Sequence, residues 1–160
     1  MPIHRKRITA KGVQPKISSE IKREYYYLFG LIEPLTGKDF MLELPSLETQ
    51  TMQIFMDEFA KEDPASLQVI ILDKASSHTT AKMKVAENLR LIFLPAHAPE
   101  LNPIERFWRA LKDWLSDYQP ATLNEVRELV SQGLKSFSEK ALSSITSFDF
   151  LISAWLSAIA

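Results

Sequence analysis

Two carboxylates in this 160-residue chain stand where chemistry could be done. Asp73 directly follows the apolar run LQVIIL (residues 67–72), and Glu105 is the third residue after Asn102 in LNPIERFW. A carboxylate is a hard oxygen donor, suited to Mg2+ or Mn2+, cations that keep several waters and are shared with substrate phosphates. Each acid alone has a plainer reading. Glu105 at the N3 position behind an Asn cap can satisfy an orphan backbone amide and complement the helix dipole. An Asp just after a strand commonly serves a turn.

The elements around the two acids place them at one edge. LQVIIL is short, continuously apolar and β-branched in its middle, the pattern of a strand buried on both faces in a layered α/β fold. LRLIFL (89–94) repeats it after a connection of about fifteen residues, close to the minimum for a parallel crossover. PAHAPELNP then forbids continuous helix or strand, and Asn102-Pro103 opens a helix with Asn at the N-cap and Pro at N1. Ile104, Phe107, Trp108, Leu111 and Leu115 form its apolar stripe. If the two strands are parallel neighbours, Asp73 and Glu105 meet at their carboxyl ends, where open α/β sheets gather functional groups. Two-metal phosphoryl chemistry uses a pair of cations roughly 3.5–4 Å apart, and a third acid should bridge them.

The rest of the chain supplies the scaffold. EYYYLFGLIEP (24–34) and KDFMLELP (38–45) read as a hairpin across a Pro/Gly-containing turn. Residues 47–62 place Met52, Phe55, Met56 and Phe59 on one helical stripe, with Ser46 as the expected N-cap and Asp63-Pro64 as the stop. Thr122-x-x-Glu125 is a capping box that opens a helix over 122–137, with Val126, Leu129, Val130 and Phe137 on one face. One or two short helices follow over 139–160. There is no repeat and no low-complexity tract.

Composition bounds the class. Hydrophobic residues make up 46% and charged residues 24%, as in an ordinary globular domain. The absence of cysteine excludes disulfides and thiolate metal sites. No apolar run is long enough to span a bilayer, and the start has no apolar segment of the secretory type. Residues 1–24 hold seven Lys/Arg against Glu20 and Glu24, although the whole chain is at −1. Such a basic arm, with Arg5, Lys6, Arg7 and Lys11 at its start, suits either phosphate contact or a solvated terminus. The expected organisation is a basic, poorly structured segment over 1–23 and a domain over 24–160, with its core at 24–118 and helices at 122–160.

Residues 25–115 resemble the catalytic domain of mariner-type DDE transposases of bacterial insertion sequences. The motifs that carry the resemblance are YYYLFGLIEPLTG, VIILDKASSH and LRLIFLPAHAPELNPIERFW. It implies a ribonuclease H-like fold, a mixed sheet flanked by helices in three layers. It also implies an Asp-Asp-Glu triad binding two Mg2+ or Mn2+ ions in the complete enzyme, and double-stranded DNA as partner. The implied reaction is hydrolysis at a transposon end followed by strand transfer, in a bacterial cytoplasm. Asp73 matches the second acid and Glu105 the third, with His78 and Asn102 as accompanying positions.

Some residues depart from the pattern. Lys74 stands where the family often has Asn or Gly, Ser77 where an aromatic is common, and Ala96-His97-Ala98 where Pro-Tyr-Ser is usual. No acid precedes Glu20, so the family's first Asp and its central strand are expected to be missing. That absence implies one of three arrangements: the hairpin pairs directly with 67–72, a neighbouring copy supplies a strand, or an upstream fragment does. The chain then reads as a truncated catalytic domain inactive alone. The alternatives are a non-catalytic remnant or regulatory subunit binding DNA or transposase, and a metal nuclease using Asp73 and Glu105 only.

Overall fold

The computed structural model describes residues 25, 27–73, 83–95, 101–150, 152, 153 and 157. In chain order these form strands β1 (Tyr27–Ile32) and β2 (Asp39–Leu44), helix α1 (Thr49–Glu62), strands β3 (Gln68–Leu72) and β4 (Leu89–Phe93), and helices α2 (Pro103–Leu115), α3 (Leu123–Ser136) and α4 (Glu139–Thr146). The fold class is mixed α/β, as the sequence indicates.

The expected hairpin is present. β1 and β2 pair antiparallel, with Phe29 opposite Leu42, Gly30 opposite Met41 and Leu31 opposite Phe40. Because side chains alternate across a strand, this register divides the hairpin into two apolar faces. Phe29, Leu31, Phe40, Leu42 and Leu44 pack with α1 around Met52, Phe55 and Met56. Leu28, Ile32 and Met41 pack on the other side, around Phe107 and Leu111 of α2 and Leu142 of α4. The hairpin is therefore the middle layer between α1 and the α2–α4 group. Gly30 faces α2, where a Cβ would stand 2.9 Å from the Trp108 ring and collide with the Met41 sulfur. Its lack of a side chain sets how closely α2 approaches.

β3 and β4 pair parallel, Gln68 with Leu89 through Leu72 with Phe93, and the Leu94 amide donates to the Leu72 carbonyl to continue the ladder. Ile70, Leu72 and Leu89 enter the same core as the hairpin and α1. The expectation of strands buried on both faces is not met. Val69 is 56% and Ile92 53% exposed, because α1 covers one face of this pair and no described element covers the other. Nor does the hairpin pair with β3. The four strands form two separate two-stranded sheets, joined by shared side-chain packing on α1 rather than by backbone hydrogen bonds. Of the three arrangements expected above, direct pairing is not the one found.

Local signals explain the helix ends. α1 starts two residues later than Ser46 suggested. Glu48 is its N-cap, and its amide donates to the Thr51 hydroxyl at 3.0 Å. That hydroxyl also reaches the Ser46 carbonyl at 2.9 Å, so Ser46 contributes backbone where a side-chain cap was expected. At the far end, the Asn88 side-chain amide donates to the Ala60 carbonyl at 2.9 Å, tying the end of α1 to the entry of β4. The α3 cap is as expected, with the Thr122 hydroxyl accepting from the Glu125 amide and the Glu125 carboxylate accepting from the Ala121 amide. α3 lies close against α2 at Gly133, where a Cβ would be 2.8 Å from Leu111.

The hairpin turn is held by α4. Gly37 sits at φ +79, and the space where its Cβ would stand is filled by the Glu139 backbone. The Ser143 and Ser147 hydroxyls donate to the Pro34 carbonyl at 2.8 and 3.0 Å. None of the described helices is long and apolar enough to cross a membrane.

Candidate active site

α2 carries Glu105 where the sequence puts it. Pro103 opens the helix, Asn102 is its N-cap, and the Glu105 amide donates to the Asn102 carbonyl at 3.1 Å. The plainer capping role is not realised. The Asn102 side chain makes no cap hydrogen bond. The exposed Glu105 carboxylate accepts no hydrogen bond and forms no ion pair among the described residues. A carboxylate at a helix N-terminus with no protein donor on it is open to an outside cation, although the positive helix end also steadies its charge.

The position of the helix follows from its stripe. Phe107 and Leu111 are buried, Ile104, Trp108 and Leu115 half-buried, and the set seats α2 on the hairpin. Phe107 meets Phe137 edge-on at 5.5 Å, and Trp108 leans on Gly30. One turn of exposed helix is left facing outward, bearing Glu105, Arg106 and Arg109.

Asp73 directly follows β3 and is half-buried, with an interaction of its own within the fold. By strand alternation it continues the row of Val69 and Ile71, the face turned away from α1. α2 likewise covers the hairpin face turned away from α1.

Among the described residues no group of three or more His, Cys, Asp or Glu is placed to hold a metal ion. Asp73 and Glu105 are hard oxygen donors of the kind that suits Mg2+ or Mn2+, but the described residues alone do not assemble a set that would hold the cation. His78 and the basic residues Arg5, Lys6, Arg7 and Lys11 lie outside the described residues, as does the Ala96-His97-Ala98 turn. A shallow groove beside β4, lined by Val85, Glu87, Arg90 and Phe93, contains neither acid.

Two shifted carboxyls lie elsewhere; the sequence marks Asp63 only as part of a helix stop and gives Asp39 no role. Burial holds the Asp39 carboxyl above its ordinary range, and the nearby Glu139 adds to the effect. The Ser66 side chain donates to Asp63 and holds it below that range. Asp39 opens β2 and Asp63 caps the end of α1, so both serve the scaffold.

Comparison with known proteins places the chain. An uncharacterized protein, y4pE/y4sA of Sinorhizobium fredii (strain NBRC 101917 / NGR234), is 43% identical over 93 residues, covering 57% of this chain and 69% of that protein. No solved structure matches. The family profile described as DDE superfamily endonuclease matches residues 2–127, which takes in the hairpin, both parallel strands, Asp73 and the whole of α2. The chain belongs to the DDE superfamily endonuclease family.

Proposed function

We propose that this chain is the larger part of the catalytic domain of a mariner-type transposase of an insertion sequence. Its reaction is metal-dependent hydrolysis of a phosphodiester at a transposon end, followed by attack of the freed 3′-hydroxyl on target DNA. Asp73 and Glu105 are two of the three acids that hold the divalent cations, with Asn102 and His78 as supporting positions. The observation that carries this reading is the Glu105 carboxylate at the first turn of α2, without a partner among the described residues and inside the family match. When bound, the cations supply Lewis-acid stabilisation of charge on the phosphoryl oxygens.

The remaining acid comes from outside residues 25–160. Two strand pairs share one core around α1 without hydrogen-bonding to each other. A strand from an upstream transposase fragment, or from a second copy in a homodimer, satisfies open backbone edges there and brings the first Asp. The basic residues Arg5, Lys6, Arg7 and Lys11 contact the DNA backbone. The chain acts in the bacterial cytoplasm, at the nucleoid when on DNA.

The test is strand nicking of DNA bearing transposon ends, with Mn2+. The chain alone should not nick. Addition of the upstream fragment should restore nicking, and Asp73→Ala or Glu105→Gln should abolish it. Nicking by the chain alone that is lost in Asp73→Ala would replace the split-site reading with a two-acid nuclease. No nicking with any fragment, together with unchanged DNA affinity, would favour the second reading, a regulatory remnant that binds DNA or transposase.

A further inference from the structure

Beyond α4 the chain returns to the exposed turn of α2. Phe148 lies beneath the Arg106 guanidinium, 3.8 Å from the ring centre, and Phe150 lies beside Phe148 with ring centres 5.3 Å apart, inclined at 45°. Phe150 remains 46% exposed. The backbone beneath these rings is fixed, because Ser143 and Ser147 are bonded to the Pro34 carbonyl and the Ile152 amide donates to the Phe148 carbonyl. An aromatic pair on a firm base, half open to water, thus adjoins the residue that follows Glu105.

The charges beside the pair point to its partner. Arg106 and Arg109 sit on the exposed side of α2, and neither forms an ion pair among the described residues. Glu105 and Arg109 have the i, i+4 spacing that permits a pair, yet each leaves the other free. Arg127, by contrast, binds Glu43 at 2.7 Å. Asp113 and Asp149 are the other acids nearby, and both are exposed. Open rings answer the faces of unstacked bases, and free guanidinium groups answer phosphates.

We propose that Phe150, backed by Phe148 and Arg106, is a stacking platform for an unpaired base of the DNA substrate, with Arg109 holding the adjoining phosphate. The platform rests on the DNA-transposition reading above and extends it. Hydrolysis beside Glu105 leaves a strand terminus, and where that terminus unpairs, a ring next to the acid gives its base a defined seat. Stacking is tolerant of sequence because every base has a π face, so the platform selects for an unpaired strand rather than for a particular base.

The experiment measures binding of the full chain, without divalent cation, to a blunt duplex and to the same duplex with a short thymidine overhang. Phe150→Ala should weaken overhang binding about tenfold and leave blunt-duplex binding unchanged, with Phe150→Trp retaining the preference. Arg109→Gln should weaken both and lower the salt slope by about one counterion. An unchanged thermal midpoint in each variant excludes misfolding. Overhang binding by Phe150→Ala equal to that of the unaltered chain overturns the platform while leaving the DNA reading intact. Concentration-dependent self-association that Phe150→Ala abolishes overturns it in favour of a protein interface. Binding to neither probe by the unaltered chain removes both the platform and the DNA reading.

Discussion

Gln53 on α1 and Lys84 on the segment leading to β4 exchange a pair of hydrogen bonds. The Gln53 side-chain amide donates to the Lys84 carbonyl at 2.7 Å, and the Lys84 amide donates to the Gln53 side-chain oxygen at 2.8 Å. A carboxamide here plays the part of a neighbouring strand, and it is the only residue type besides Asn that can donate and accept this way.

Gln53→Ala should therefore cost about 1–2 kcal/mol, the value of two hydrogen bonds in a partly wet site. Hydrogen exchange at the Lys84 amide should accelerate in the same variant. Gln53→Glu keeps the acceptor and loses the donor, so it should retain protection of that amide. Unchanged exchange at Lys84 in Gln53→Ala would show that the segment is held by something else.

Gly37 offers a sharper test of packing between the hairpin and α4. Its backbone is left-handed, which costs other residues roughly 1–2 kcal/mol, and its missing Cβ is replaced by the Glu139 backbone. Gly37→Ala should destabilise by about 3 kcal/mol or more, read from the urea midpoint. Gly37→Asn separates the two causes, since Asn tolerates the left-handed region. Equal losses for both variants would assign the cost to the collision with α4, and a small loss for Asn would assign it to backbone conformation.

The raised Asp39 carboxyl has a pH consequence. Burial disfavours its charged form most strongly, its own backbone amide opposes this, and the Glu139 charge adds a smaller upward push. The folded state thus holds the proton more tightly than the unfolded chain. By linkage, this residue's contribution to stability is largest at low pH and falls as pH rises from the ordinary aspartate value through the raised one. Glu139→Gln should lower the Asp39 titration midpoint partway, because burial, the larger cause, remains. Carboxyl-detected NMR titration reads this directly. A midpoint that does not move would remove Glu139 from the account.

Phe107 and Phe137 lock α2 to the C-terminal end of α3, with Phe107 1% exposed. Phe107→Ala should cost about 3–5 kcal/mol. A double-mutant cycle with Phe137→Ala should give a coupling of about 0.5–1.5 kcal/mol, the expected worth of an edge-on aromatic pair beyond its buried area. Additive losses would mean that the two rings are buried independently.

How much of this could be read in the residues varied with the range of the interaction. Helix stripes such as Met52–Phe55–Met56 and Phe107–Leu111 follow from periodicity within one element, and they stand as expected. The Asn102-Pro103 start and the Thr122 cap were equally legible, because a cap is decided within four residues. The parallel pairing of β3 with β4 was legible only as a condition, since a connection close to the crossover minimum permits it without requiring it. Ser46 misled because a hydroxyl two residues before the true cap looks the same in sequence; what chose Glu48 was the Thr51 hydroxyl folding back on both.

The misses were long-range. An apolar run such as LQVIIL does not say whether a second layer exists to cover it, and Val69 and Ile92 stand open. Gln53 with Lys84, Asn88 with Ala60, and Arg106 with Phe148 carry no sequence signature, since each joins residues that only the fold brings together. For the candidate site, Glu105 at the first turn of α2 and Asp73 after β3 were both legible as positions. That neither the Asn102 side chain nor the Glu105 carboxylate would engage in capping was not, because sequence states which cap a helix can form and not which one it uses.

The hairpin, packed on both of its faces, orders events in time. A short connection lets β1 and β2 find each other on the microsecond scale, whereas α1 and α2 each need an apolar surface to condense on. The hairpin offers such a surface to both, so early pairing of its strands is the expected order. Substitutions at Leu42, which faces α1, and at Met41, which faces α2, should then slow refolding alike, while Val130 on α3 should chiefly change the rate of unfolding. Two strands that resemble a passive partition between helices are, in kinetic terms, the template on which both halves of the molecule are cast.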